Sequence, residues 1–236
     1  MFLKRKNNLV YAAFSNLSGF PGLFHGVFTR QGQAGRQEIA DCTGVSDLVF
    51  LNQVHGKEVV VLKAREELKS AAQNPVTGDA LISRVPGAGL VVQAADCQPV
   101  MLYDPVTHAA ANIHSGWRGS VAGIIGKCII TMKKKFGTDP SDLEAGIGPS
   151  LGPCCAEFVN YRKEIPEEFW QYRDQRDRFN FWQISIDQLK AAGVGEKNIE
   201  LANICTRCNP HLFFSYRKEG ETGRFATVIG LAGKRQ

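Results

Sequence analysis

Between Asp47 and Ile113 the chain runs through six short apolar stretches in close succession, and three of them end at a soft or borderline metal ligand. Asp47 to Leu51 leads into Asn52-Gln53-Val54-His55-Gly56, Gly89 to Gln93 into Ala95-Asp96-Cys97-Gln98-Pro99, and Ala109 to Ile113 into His114-Ser115-Gly116-Trp117-Arg118-Gly119. The other three are Glu58 to Leu62, Asp79 to Ser83 and Pro99 to Tyr103. Runs of this length, rich in Val, Ile and Leu and bounded by Gly, Asp and Pro, read as strands. Two imidazoles and one thiolate, brought together from three strand ends, make an open transition-metal site. Three protein ligands leave a coordination position free, as in catalytic rather than structural zinc sites.

Beyond His114 the period changes. Val121, Ile124, Ile125, Cys128, Ile129 and Met132 recur at helical spacing, with Ser120 as cap and Gly137 as stop. The His114 motif therefore stands where a strand turns into a helix N-terminus, a place whose free N–H groups favour anions. Leu143 to Ile147 reads as a strand, Ile184 to Ala192 as a helix, and Ile199 to Ile204, Leu212 to Tyr216 and Arg224 to Leu231 as strands. The charged, aromatic segment from Pro166 to Arg178 is expected on the surface. The alternation is mixed, not the strict strand–helix repeat of a doubly wound sheet. With no linker or charge block to divide it, residues 1–236 are expected to form a single domain.

The net charge of +5 is mild and compatible with an anionic small substrate, and Lys133-Lys134-Lys135 reads as the solvated end of a helix rather than a nucleic-acid patch. The basic start and the short run Leu9 to Phe14 do not make a signal peptide, and no segment has the length of a membrane span. A cytoplasmic protein without membrane or nucleic-acid partners is expected, its seven cysteines reduced. Cys42 and Cys128 read as buried thiols. Cys205-x-x-Cys208 could suggest a zinc knuckle or a redox dithiol, but it lacks a second pair, and Cys154-Cys155, a vicinal pair in a turn, has the wrong spacing to supply one, so Cys205 and Cys208 read as two buried thiols near a strand end. His25, His108 and His211 carry no assigned role, since a lone histidine is more often structural.

The trio also permits nucleophilic chemistry, with Cys97 as thiolate and His114 as base; zinc on the same sulfur would compete with it. A multicopper site is excluded by counting, because it needs roughly ten histidines and the chain has five. A lone copper centre with Met101 as axial ligand is the remaining copper option. A non-enzymatic binding module docking through Phe169 to Tyr172 is a further alternative. Arg30 and Arg118 are candidate anion clamps.

Phe28-Thr29-Arg30, Gln53 to Gly56, Gly78-Asp79-Ala80-Leu81, Ala95 to Pro99, His114 to Gly119, Gly146 to Ser150, Cys205-Thr206, Phe213-Phe214-Ser215-Tyr216-Arg217 and Thr222-Gly223-Arg224 occur in this order. The set resembles the laccase-domain (multicopper polyphenol oxidase-like) family, whose members also bear the label purine nucleoside phosphorylase. The resemblance implies a mixed α/β, four-layer α/β/β/α sandwich like the catalytic domain of cytotoxic necrotizing factor. It implies Zn2+ on His55, Cys97 and His114, with Cu as the alternative. It implies phosphorolysis of adenosine, inosine, guanosine and methylthioadenosine, adenosine deamination as a second activity, and Arg30 in the site. A peptidoglycan-editing role attached to the family keeps the Cys97–His114 hydrolase or amidase open. Asp79 and Asp96 are the acid/base candidates, Arg30 and then Arg118 the phosphate clamps, and Ser115 and Gly116 the further substrate contacts. The oligomeric state is left open. Departures from the family pattern are Ser115 for alanine, Gln33-Ala34-Gly35 in a glycine-rich stretch, Ala156 for tyrosine, and Asn180 and Ser185 for Asp and Asn. None touches the metal trio.

Overall fold

In the computed structural model, which describes residues 1–31 and 35–233, thirteen strands form two mixed sheets flanked by helices. Gln33 and Ala34 lie outside the described residues. The strands are β1 Phe2–Lys6, β2 Leu9–Ala13, β3 Leu23–Phe28, β4 Asp47–Asn52, β5 Val59–Leu62, β6 Val76–Thr77 and β7 Ala80–Ser83. They continue with β8 Ala88–Ala94, β9 Gln98–Asp104, β10 Ala109–Ser115, β11 Glu144–Ile147, β12 Ile199–Leu201 and β13 Phe225–Leu231. The helices are α1 Arg36–Thr43, α2 Arg65–Gln73, α3 Trp117–Val121, α4 Ile124–Phe136, α5 Tyr161–Glu164, α6 Phe181–Ala191 and α7 Tyr216–Glu219. One sheet has the order β1-β2-β3-β13-β8-β4-β6, the other β12-β11-β9-β10-β7-β5.

Side-chain alternation along these strands builds three apolar layers. Leu81, Met101, Tyr103 and Ala110 face Val27, Val49, Leu90 and Ile229 of the opposite sheet. Their neighbours Ile82, Val100, Leu102, Ala109 and Ala111 point the other way, onto α4 and α6. On the far side, Leu48, Val91 and Val228 meet Ile39 and Cys42 of α1. Both faces of the central strands are thus covered, which is why those strands read as continuous apolar runs. Asn112 pins the sheets together, donating from Nδ2 to the carbonyls of Leu90 (2.9 Å) and Thr227 (3.0 Å). Ile125, Cys128, Ile129 and Met132 of α4 are fully buried, and each such side chain contributes roughly 1.5–3 kcal/mol.

The six expected strands are present, as are the strand at 144–147 and the helix at 184–192, extended back to Asn180, whose Oδ1 accepts from Gln183 N at 3.1 Å as an N-cap. Other expectations are corrected. The helix expected from Ser120 is broken: α3 is one turn, Gly123 at φ +78° interrupts it, and α4 starts afresh. Ser120 Oγ is buried without a partner and caps nothing, and so short an α3 offers no anion-binding terminus. Leu212 to Tyr216 is not a strand; Phe213 and Phe214 turn into the inter-sheet core from a loop. The strand expected to reach Ile204 ends at Leu201. The aromatic surface at 169–172 is half core, since Phe169 and Trp170 pack with Tyr161, Ile165 and Phe179. Among the described residues no helix is long and apolar enough to cross a membrane.

Candidate metal centre

The donor atoms of His55, Cys97 and His114 lie within 4.8 Å of one another. His55 follows β4, Cys97 lies between β8 and β9, and His114 is near the end of β10, so three strand ends from both sheets meet at one point. His55 (φ 60°) and Asp96 (φ 89°) hold positive backbone angles on two of these loops. Strain of this kind persists where surrounding bonds over-determine it.

At the His55 loop those bonds come from one residue. Asp79, fully buried at the entry to β7, accepts from the N–H groups of His55 (2.9 Å) and Gly56 (2.7 Å) and bonds His114 Nδ1 at 2.8 Å. Its carbonyl accepts from His114 N at 2.7 Å. A carboxylate on Nδ1 leaves Nε2 of His114 facing the other two donors, the usual arrangement behind a metal-bound imidazole. The loop of one ligand and the ring of another are thereby fixed by a single side chain.

Charge in the cluster follows from the same contacts. Burial alone would raise the Cys97 pKa, yet the bonds from His114 and His55 bring it down to about 6. Burial would lower that of His114, but Asp79 and the Cys97 sulfur raise it to about 9. Asp79 is held below the usual carboxylate range, its burial outweighed by His114 and the Gly56 N–H. The cluster thus stabilises a thiolate, the form that both metal binding and nucleophilic attack require.

The backbone beside it leaves little room for a side chain. A Cβ on Gly116 would stand 3.1 Å from His55 Cδ2 and 3.2 Å from Cys97 Sγ, and one on Gly119 would stand 2.7 Å from the Gly56 carbonyl. The donor set, its orientation by Asp79 and the sparse backbone at Gly116 fit a first-row transition-metal ion. Met101 is buried in the inter-sheet core and is not part of the convergent group.

A cleft of about 430 Å³ opens over the trio, walled by Gln53, Gln93, Tyr216, Thr222 and Arg224. A second hollow of about 260 Å³ adjoins it, sharing Gln93 and Arg224 and lined by Phe50 and Phe214. The remaining candidates fall elsewhere. Arg30 is tied to Glu219 Oε1 (2.6 Å) and the Pro210 carbonyl (2.7 Å), with its guanidinium 4.4 Å from the Phe214 ring. Arg118 lies over Trp117, outside the cleft lining. Ser115 points to the opposite face of β10, its hydroxyl buried without a partner. Asp96 accepts from Thr206 Oγ1 and from Arg217 N, both at 2.6 Å. Arg224, Thr222, Tyr216, Gln53 and Gln93 carried no assigned role in the sequence, although all but Gln93 sit inside quoted motifs.

The C-terminal cysteines are corrected as well. Cys208, expected to be buried, is exposed, as is Cys154, and with Cys155 and Cys205 their sulfurs form a second cluster within 4.8 Å.

Residues 29–232 match the family model described as multi-copper polyphenol oxidoreductase laccase. The chain belongs to this family. A relative from Clostridium acetobutylicum, named purine nucleoside phosphorylase, is 32% identical over 97% of this chain and 94% of its own. One of the same name from Bacteroides thetaiotaomicron is 31% identical over 92% and 94%. The crystal structure of YlmD from Geobacillus stearothermophilus superposes with a TM-score of 0.83 at 25% identity, covering 97% of this chain and 98% of that one. The Bacillus licheniformis protein YfiH gives 0.80 at 26%, covering 89% and 92%. The mixed α/β fold of two sheets and flanking helices is therefore that of this family.

Proposed function

We propose that this protein is a zinc-dependent purine nucleoside phosphorylase acting on adenosine, inosine, guanosine or methylthioadenosine, with adenosine deamination as a second activity. The carrying observation is the convergence of His55, Cys97 and His114 at the floor of a cleft large enough for a nucleoside. The relatives' shared name supports the substrate class.

Zinc held by the trio supplies Lewis-acid polarisation and a lowered pKa for water. The chain's own residues supply the rest. Phosphorolysis breaks the N-glycosidic bond through an oxocarbenium-like state, so phosphate must be held against the sugar face. Arg224 lines the cleft, whereas Arg30 is committed to Glu219; we assign the phosphate to Arg224. Arg30 acts behind it, stacked on Phe214 and fixing the Glu219 to Thr222 turn through the Thr222–Glu219 bond of 2.6 Å. Tyr216, 68% exposed at the cleft wall, presents a ring on which a purine can stack. The Gln53 side chain is locked to the Gln93 backbone, its Nε2 donating to the carbonyl at 2.8 Å and its Oε1 accepting from the N–H at 2.9 Å, which makes this wall rigid. Asp79 is a positioning residue, because each of its oxygens is already bonded and it has no solvent exposure. Asp96 holds Thr206 and Arg217 rather than facing the reacting atoms.

Cys97, His114 and Asp79 also have the order of a thiol hydrolase triad. The second imidazole, His55, is surplus to that chemistry and favours metal. The deciding experiment incubates metal-quantified protein with inosine, with and without phosphate, and follows hypoxanthine. Phosphate-dependent release that tracks zinc content is expected. No release from protein with a metal-free, alkylatable Cys97 would move the assignment to the hydrolase or amidase.

A further inference from the structure

The second cysteine cluster has no part in the reaction above, and its geometry is that of a closed metal site. Cys154 and Cys155 occupy the turn after β11, where Cys155 N donates to the Gly152 carbonyl at 2.8 Å. Cys205 and Cys208 occupy the turn after β12, closed by Asn209 N on the Cys205 carbonyl at 3.1 Å. The two turns are zipped together: Ser150 N donates to the Ile204 carbonyl (3.2 Å) and Thr206 N to the Ser150 carbonyl (3.0 Å). This pairing brings residues more than fifty positions apart into one group of four sulfurs, all within 4.8 Å. Cys208 Sγ stands 3.7 Å from Cys154 Sγ and 3.5 Å from Cys155 Sγ. Tetrahedral zinc with bonds of ~2.3 Å sets its sulfurs about 3.8 Å apart.

We propose that Cys154, Cys155, Cys205 and Cys208 bind a second zinc ion as a closed tetrathiolate site, separate from the open site in the cleft. Binding takes four thiols to thiolates, with their protons released to solvent, so the filled site carries a net charge of −2. The surroundings are built for that charge. Gly152 N–H donates to Cys205 Sγ at 3.3 Å and Arg207 to Cys155 Sγ at 3.4 Å. The guanidiniums of Arg178 and Arg217 donate to the carbonyls of Cys154 (3.2 Å) and Cys155 (3.4 Å).

The two turns so joined also hold the loop of the open site. Leu151 N donates to the Asp96 carbonyl at 2.9 Å, and Thr206 Oγ1 to its carboxylate at 2.6 Å. A metal clasping Cys154-Cys155 to Cys205–Cys208 therefore joins the same two turns whose Leu151 and Thr206 anchor the residue before the Cys97 ligand.

The test is metal stoichiometry with spectroscopy on the full chain purified under reducing conditions. Wild type is expected to hold two zinc ions. The variant Cys154→Ser/Cys208→Ser, which alters only exposed thiols, is expected to hold one, with His55, Cys97 and His114 still filled. Cys97→Ala is also expected to hold one, and its cobalt(II) form should keep the intense sulfur-to-metal charge transfer and tetrahedral bands of four thiolates. Should the double variant fail to fold, cadmium NMR of the wild type serves instead, with an all-thiolate resonance beside a mixed nitrogen–sulfur one. A single zinc in the wild type, no all-thiolate signal, or a disulfide at Cys208 in reduced preparations overturns the proposal. None of these readouts requires turnover, so it fails or stands independently of the phosphorylase assignment.

Discussion

The two clusters of soft ligands are built on opposite principles. The trio in the cleft has three donors of two kinds, drawn from three strand ends, with a glycine where a fourth side chain would stand. The cysteine quartet has four donors of one kind, drawn from two turns, and none of them lines the cleft. The first is held by a carboxylate buried behind it, the second by main-chain pairing and arginines around it. An open site needs its ligands fixed before the metal arrives, because the substrate also has to find the remaining position. A closed site can use the metal itself as the fixing element.

The largest effect is expected at the open site. Cys97→Ala removes the only sulfur of the trio and the charge that balances His114. Loss of several kcal/mol of transition-state stabilisation corresponds to roughly a thousandfold or more in phosphate-dependent nucleoside cleavage. The quartet's metal should survive this variant unchanged. Retention of activity together with the cleft metal would end the assignment of Cys97 as ligand.

Asp79→Asn comes next. Asparagine can satisfy one side of the contact, but its amide nitrogen then faces either the Gly56 N–H or the His114 Nδ1 proton. The variant is expected to lose roughly 10–100-fold in affinity for the cleft metal, measured by competition with a chromophoric chelator. An unchanged affinity would mean that the ligands are fixed by the strand ends alone. Gly116→Ala is expected to cost less. Its φ of −67° suits alanine, so only the crowding of His55 and Cys97 counts. Overpacking of ~1–3 kcal/mol predicts on the order of tenfold weaker metal binding, with the fold intact by circular dichroism.

The open site was legible in the sequence because each ligand closes an apolar run, and strand ends are where folds place reactive groups. Asp79 was visible as a carboxylate but not as the hub, since its partners lie 23 to 35 residues away. The cleft wall was missed for the same reason. Arg224 and Tyr216 reach the trio only because β13 pairs with β8, bringing the C-terminal end of the chain beside the strand that leads to Cys97. The quartet was misread because local spacing is a sound guide only when both pairs are local; here the Ser150–Cys205 pairing supplies the proximity. The β1 to β3 ribbon gave no signal at its edge, where Phe2 to Lys6 is exposed on both faces. The broken helix shows the converse: α3 and α4 share one apolar period, and only the backbone at Gly123 divides them. Two of the departures from the family pattern have local reasons. Asn180 retains the cap that Asp would provide, and Ser185 is buried against Gln98 Oε1, behind the strand face that carries the ligands.

The smallest effect on catalysis is expected from the quartet, and it is the one that most directly separates the two designs. In Cys154→Ser/Cys208→Ser the zipped backbone between Ser150 and Thr206 remains, so Asp96 keeps both of its anchors and Cys97 its place. Nucleoside cleavage is then expected within about threefold of wild type at 25 °C. Stability should tell the other half. Losing a bound ion that bridges two turns removes a few kcal/mol, and for a chain of this size each kcal/mol is worth ~2–4 °C. The unfolding midpoint is therefore expected to fall by roughly 5–10 °C, and the difference from wild type should vanish once both proteins are stripped of metal. A fall in activity as large as that of Asp79→Asn would show that Asp96 is held by the quartet's metal rather than by Leu151 and Thr206, and the division between an open working site and a closed bracing site would have to be given up.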